Sequence, residues 1–148
     1  MPDRNRSRAR LADPTRQAAG FDRMRQARQT EIAEDYVELI ADLIADVGEA
    51  RAVDLAERFG VSHATINKTL ARLSREGLVL SRPYRSIFLT EAGADMAMRS
   101  RRRHQIVLGF LHALGVSPET AEIDAEGIEH HVSEETLAVF ERIAKDGL

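Results

Sequence analysis

The segment from Arg51 to Thr90 constrains the fold more than any other part of the chain. Residues 51–60 read as a short helix through Val53, Leu55, Ala56 and Phe59, closed by Gly60 as its C-cap. Ser62 then has the side chain to cap a second helix, from about His63 to Glu76, with Ile66, Leu70 and Leu73 on its buried face and Gly77 at its end. Two short β-type runs follow, residues 78–80 and 87–89, and Thr90 caps a further helix. The loop between the runs, residues 81–86, carries Arg82, Tyr84 and Arg85.

Two helices across a glycine turn, followed by a hairpin with a basic tip, is the order of a winged helix-turn-helix, and it favours DNA binding over a structural or protein-binding use. Stepping 100° per residue from Ile66 places Ala64, Lys68, Ala71, Arg72 and Arg75 on the far side of the second helix. The candidate DNA-binding residues are Ser62, His63, Ala64, Thr65, Asn67 and Lys68 near the helix start, Arg72 and Arg75 further along, and Arg82, Tyr84 and Arg85 on the hairpin. Asn67 can pair with adenine and Lys68 with guanine, while Ala64 or Thr65 can touch a thymine methyl. Arg72, Arg75, Arg82 and Arg85 suit phosphates, which set register.

The net charge of -3 hides a block structure. Residues 1–30 hold 8 basic and 3 acidic groups, residues 31–60 hold 2 and 9, residues 61–103 hold 9 and 3, and residues 104–148 hold 2 and 9. A polyanion and a cation are therefore both expected as partners, in different places. Arg4, Arg6, Arg8, Arg10 and Arg16 precede any large apolar cluster, so residues 1–30 read as a basic, flexible arm without fixed structure before about Asp22. The chain has no cysteine, which excludes disulfides, thiolate zinc fingers, iron–sulfur sites and cysteine nucleophiles. No apolar run approaches the roughly 20 residues that span a bilayer, and the start lacks a secretory signal, so no membrane association and a cytoplasmic location are expected.

Ile32, Tyr36, Leu39, Ile40, Leu43, Ile44 and Val47 share one face of an amphipathic helix ending near Gly48. Beside them runs an acidic series, Glu31, Glu34, Asp35, Glu38, Asp42 and Asp46, which alone fits a solvated face better than a metal site. A long helix is expected from Thr90 to Leu114, with Gly115 as its cap and His104 on the stripe of Val107 and Leu108, where a lone histidine is usually a core residue. Ser117-Pro118 opens another helix, and a last one follows Ser133. Glu126, Glu129 and His130 stand at i, i+3 and i+4, where unpaired carboxylates repel and a divalent cation is the most economical explanation. Residues 99–148 are too few to bury Phe110, Leu111, Leu114, Val116, Leu137 and Phe140 unaided, so a symmetric homodimer is expected, which would also suit a palindrome.

With these motifs in place, residues 31–148 resemble the diphtheria-toxin-repressor family of metal-dependent transcriptional regulators, and within it the manganese transport regulators. The resemblance rests on residues 35–38 (Asp-Tyr-Val-Glu), Arg103-His104, and residues 126–131 (Glu-Gly-Ile-Glu-His-His). It implies a mainly α fold with a small β-hairpin: a winged helix-turn-helix domain at 31–98 and a helical metal-binding and dimerisation domain at 99–148. It implies metal ligands at Asp35, Glu38, His104, Glu126, Glu129 and His130, with two ions per subunit. The iron-sensing branch carries sulfur residues where this chain has Asp35 and Glu126. Four carboxylates and two imidazoles are a hard donor set suited to Mn²⁺, although such ligands do not by affinity exclude later metals, and Fe²⁺ remains an alternative.

The expectation is a manganese-responsive repressor of manganese uptake genes, binding double-stranded operator DNA as a dimer when Mn²⁺ is bound. It is not expected to be an enzyme or to take a small organic substrate. The rivals are an iron-responsive regulator on the same scaffold and, less favoured, a carboxylate-bridged dimetal enzyme. Helical sites of the latter kind usually need two Glu-x-x-His pairs, and this sequence offers none.

Overall fold

The computed structural model describes residues 10–148 as six helices and one two-stranded sheet. They run α1 (Pro14–Val47), α2 (Ala52–Phe59), α3 (His63–Arg75), β1 (Val79–Leu80), β2 (Phe88–Leu89), α4 (Glu91–Ala113), α5 (Pro118–Ile128) and α6 (Glu134–Asp146). The caps follow local chemistry: the hydroxyls of Ser62, Thr90, Ser117 and Ser133 accept backbone N–H groups in the first turns of α3, α4, α5 and α6. Strands β1 and β2 pair antiparallel, Val79 with Leu89 and Leu80 with Phe88.

Two apolar cores result. The first joins α1, α2, α3, the hairpin and the start of α4 through Val37, Ile40, Leu55, Ile66, Leu73, Val79 and Ile87, with Tyr36 stacked on Phe59 at 4.6 Å between ring centroids. The start of α4 lies hard against the hairpin. A Cβ on Gly93 would stand 2.0 Å from the carbonyl oxygen of Leu78, so only glycine fits there. The second core joins the later half of α4 to α5 and α6 through Val107, Leu111, Ala121, Ala125 and Leu137, with Phe110 stacked on Phe140 at 3.9 Å. Helix α4 runs unbroken through both.

Several expectations need correction. The expected arm without fixed structure is helical from Pro14 onward, while residues 1–9 lie outside the described residues, so Arg4, Arg6 and Arg8 are not placed. Asp13 accepts the Arg16 N–H and Pro14 occupies the first turn, and good helix formers then extend a helix whose nucleation is already secured by the packed part of α1. Ile32 and Val47 are exposed rather than core residues, and so is Val53 of α2. Leu111 and Leu137 are buried within one chain, so the apolar surface left for a partner is smaller than expected and includes Leu114, Ile123 and Val139.

Candidate metal centre and nucleic-acid interface

The six expected ligands come from three places in the fold. Asp35 and Glu38 are neighbours on α1, His104 lies on α4, Glu126 lies on α5, Glu129 caps the end of α5 and His130 follows it. Arg103 fixes that last turn: its Nε donates to the Glu129 carbonyl at 3.0 Å, Nη2 donates to the Val132 carbonyl, and Nη1 pairs with Glu134 at 2.7 Å. Arg101 pairs with Asp42, and Ser100 Oγ donates to Glu38 Oε2 at 3.0 Å, which ties α4 to α1.

Glu129 is the centre of the arrangement. Its side chain is 2% exposed, with Oε2 3.3 Å from His104 Nδ1 and Oε1 3.4 Å from His130 Nε2. His130 Nε2 also faces Asp35 Oδ1 at 3.1 Å, and His104 Nδ1 faces Glu126 Oε1 at 3.5 Å. Among the described residues, two groups have ligand atoms close enough to share an ion: His104 with Glu126 and Glu129, and Glu31 with Asp35 and His130. The outer nitrogens of both rings are held by carboxylates, His130 Nδ1 by Glu34 at 2.8 Å and His104 Nε2 by Glu122 at 3.2 Å. With its proton on the outer nitrogen, the His104 ring turns a bare lone pair towards Glu129, and His130 does the same once it gives up its second proton.

That arrangement fits a cation. His104 Nδ1 and Glu129 Oε2 are both buried without a hydrogen-bond partner, two electron-pair donors facing one another. Two buried lone-pair atoms left in this way cost free energy, and a shared divalent ion would satisfy both. The protonation preferences follow from burial and from the crowding of carboxylates around Glu129. Burial pushes the Glu129 carboxyl up to about 8, His130 partly offsets that, and the Glu126, Glu38 and Asp35 charges add to it. Burial also raises Glu38, opposed by Ser100 and assisted by Glu126. Burial alone would lower His130, but hydrogen bonds to Asp35 and Glu34 and the Asp35 and Glu129 charges raise it to about 10. The donors are carboxylate oxygens and imidazole nitrogens, which suits a hard, oxygen-preferring ion.

Sequence reasoning passed over Glu34, Glu122 and the pair His131–Glu31 at 3.0 Å. Glu31 and Glu34 belong to the acidic series on α1, but nothing in spacing links Glu34 to a histidine 96 residues away.

In the winged-helix half, His63, Ala64, Thr65, Asn67, Lys68 and Arg75 of α3 are exposed, as are Arg82, Tyr84 and Arg85 of the hairpin. A cleft of about 640 Å³ separates them, with His63 and Asn67 on one wall and Arg82, Tyr84 and Arg85 on the other. Tyr84 is fully exposed and has a φ of 59°, a left-handed conformation unusual for a tyrosine, which presents its ring from the tip. Two expected contacts are engaged elsewhere. The Ser62 hydroxyl caps α3, and Arg72 donates to the Gln29 carbonyl of α1 at 3.2 Å while pairing with Glu76. Arg72 therefore braces α3 against α1 instead of projecting from it.

Comparison with known proteins follows the same division. Residues 29–87 match the iron dependent repressor N-terminal DNA binding domain, and residues 90–145 match the iron dependent repressor metal binding and dimerisation domain. The chain is similar to the transcriptional regulator MntR of Escherichia coli O157:H7, 55% identical over 130 residues that cover 88% of this chain and 84% of the relative. It is similar also to the HTH-type transcriptional regulator MntR of Lysinibacillus sphaericus, 38% identical over 100 residues, 68% of this chain and 72% of the relative. Among solved structures, a manganese-dependent transcriptional repressor in complex with manganese superposes with a TM-score of 0.68 at 30% identity, over 76% of this chain and 52% of that one. The chain thus spans about half the length of that solved structure.

Proposed function

The chain belongs to the iron-dependent, or diphtheria-toxin, repressor family of metal-dependent transcriptional regulators, and from that premise we propose that it is a manganese-responsive repressor of manganese uptake genes. It binds palindromic operator DNA as a homodimer when Mn²⁺ is bound, and it works in the cytoplasm, where that DNA is. The single observation that carries the metal reading is Glu129, buried between His104 and His130 with unsatisfied donor atoms turned inward. Asp35, Glu38, His104, Glu126, Glu129 and His130 are the ligands we assign. Two separate groupings, His104 with Glu126 and Glu129 and Glu31 with Asp35 and His130, support two ions per subunit.

The regulatory step follows from which elements the ligands occupy. Asp35 and Glu38 lie on α1, the helix that carries the reading head through the Tyr36–Phe59 stack and the Arg72–Gln29 brace. His104, Glu126, Glu129 and His130 lie on the helical half. A divalent ion supplies positive charge that lets these carboxylates share one site. Without that charge the carboxylates of Asp35, Glu38 and Glu126 repel and Glu129 resists ionisation, so the heads sample several spacings; with the carboxylates drawn together, the spacing that matches the operator dominates. A tenfold gain in operator affinity requires only about 1.4 kcal/mol of coupling.

At the DNA, His63, Ala64, Thr65, Asn67 and Lys68 meet base edges, while Arg75, Arg82, Tyr84 and Arg85 hold the backbone and the adjacent groove. The test is operator binding with Mn²⁺ and then with anaerobic Fe²⁺ at matched free concentrations, repeated with Asp35→Ala and Glu126→Ala. Mn²⁺ should stimulate the wild type and neither variant. Full Mn²⁺ dependence in the variants would remove the assigned site, and a response to Fe²⁺ alone would make the protein an iron sensor.

A further inference from the structure

Residues 14–28 of α1 take no part in either core, whose first member on this helix is Ala33. They form about four turns, on the order of 22 Å of helix at 1.5 Å per residue, with nearly every side chain in solvent. Arg16, Arg23, Arg25 and Arg28 lie on this stretch against the single carboxylate of Asp22. Among the described residues, only Arg25 of the four finds an ion-pair partner, Asp22 at 3.5 Å, and both members are more than half exposed. Four arginines against one carboxylate leave this short helix with a net positive charge that nothing described in the chain offsets, which points to a polyanion.

The root of this arm is fixed beside the reading helix. Arg72 of α3 donates to the carbonyl of Gln29 at 3.2 Å, so α1 passes α3 where it leaves the body and continues outward from there. The positive stretch therefore starts beside α3, the helix that carries the residues assigned above to base edges.

We propose that residues 14–28 form a helical arm that lies on the sugar-phosphate backbone flanking the half-site read by α3. This rests on the DNA-binding reading and extends it to a second contact zone. Arg16 and Arg23 are seven residues apart on one face, with Arg25 and Arg28 near the opposite one, so a helix lying along the backbone sets two arginines per subunit on phosphates. Exposed Phe21 and Met24 give the arm some apolar surface, but two arms of like charge disfavour pairing with each other.

The experiment uses the full chain with Mn²⁺ and duplexes from its own upstream DNA, one ending at the palindrome and one extended on both sides. Wild type is compared with a variant carrying Arg16→Gln, Arg23→Gln, Arg25→Gln and Arg28→Gln, which keeps helix propensity, and with the corresponding four Arg→Lys changes. Four phosphate contacts per dimer should make the slope of log K against log salt steeper by about 3 to 4 in the wild type than in the glutamine variant, on the extended duplex only. The lysine variant should keep that slope, and the gain from Mn²⁺ should be the same in all three proteins. Equal slopes on both duplexes would overturn the proposal, as would a glutamine variant that changes oligomeric state while its salt slope stays put. A wild type that ignores Mn²⁺ but keeps the arm-dependent slope would remove the regulatory reading and leave the arm's contact standing.

Discussion

Replacing Glu129 by glutamine tests the metal site through stability as well as binding. In the metal-free protein, burial raises this carboxyl from 4.5 to about 8, so the fold favours its neutral form. A group raised in this direction contributes stability that is fully present below pH 4.5 and is lost as pH rises through about 8. The whole gap corresponds to roughly 5 kcal/mol, and the part between pH 6 and pH 8 to about 2–3 kcal/mol. At this chain length that is on the order of 5–10 °C in Tm. His130 adds a loss of the same sign between 6.5 and about 10 in both proteins, so the informative quantity is the difference between them. In chelator, the wild-type Tm should fall more steeply from pH 6 to pH 8 than that of Glu129→Gln, which cannot ionise. Added Mn²⁺ should reverse the wild-type loss, by about 2.7 kcal/mol at a hundredfold excess over Kd, and should leave the variant unchanged. Parallel pH profiles, or a variant that Mn²⁺ stabilises as well as the wild type, would refute the reasoning.

Three other outcomes follow from single contacts. Glu34→Ala removes the carboxylate that holds His130 Nδ1 at 2.8 Å, and Mn²⁺ affinity measured by calorimetry should drop by about 10- to 100-fold although Glu34 is not assigned as a ligand. Gly93→Ala places a methyl 2.0 Å from the Leu78 carbonyl oxygen, and a thermal melt should show a loss of about 1–3 kcal/mol or more as the start of α4 is forced off the hairpin. Asn67→Ala should cost about 1–3 kcal/mol on the preferred operator and relax discrimination at one base pair, while the salt slope stays unchanged; uniform weakening on every sequence would make Asn67 a backbone contact.

The parts of this structure that were legible in the sequence are those decided within a few residues. Gly60, Ser62, Thr90, Ser117 and Ser133 punctuate the helices because caps are local hydrogen bonds, and the Ile66, Leu70, Leu73 face of α3 is simple periodicity. Spacing alone offered the candidate site only as separate fragments, Asp35 with Glu38 and Glu126 with Glu129 and His130; the family resemblance was needed to join them with His104. The structure brings Asp35, His104, Glu126 and His130 together around Glu129, leaves Glu38 hydrogen-bonded to Ser100 and outside both ligand groups, and adds Glu34 and Glu122 behind the two rings. Those two were illegible because their partners are set by how α1, α4 and α5 pack, which no periodicity encodes. Arg72 looked like a phosphate contact from its position on the wheel, yet its length lets it reach sideways to the Gln29 carbonyl. The helical arm is illegible in the sequence because low hydrophobicity also fits disorder, whereas a helix already nucleated by packing extends through polar residues at little cost.

The central claim is that metal and operator are coupled through α1. The most direct measurement is a thermodynamic cycle on the purified protein: operator Kd with and without saturating Mn²⁺, and Mn²⁺ Kd with and without saturating operator. If Asp35 and Glu38 link the reading head to the helical half as described, the two ratios are equal and each is about tenfold or more. An operator Kd that is the same in chelator and in Mn²⁺, from a protein that binds the ion at these residues, would contradict it.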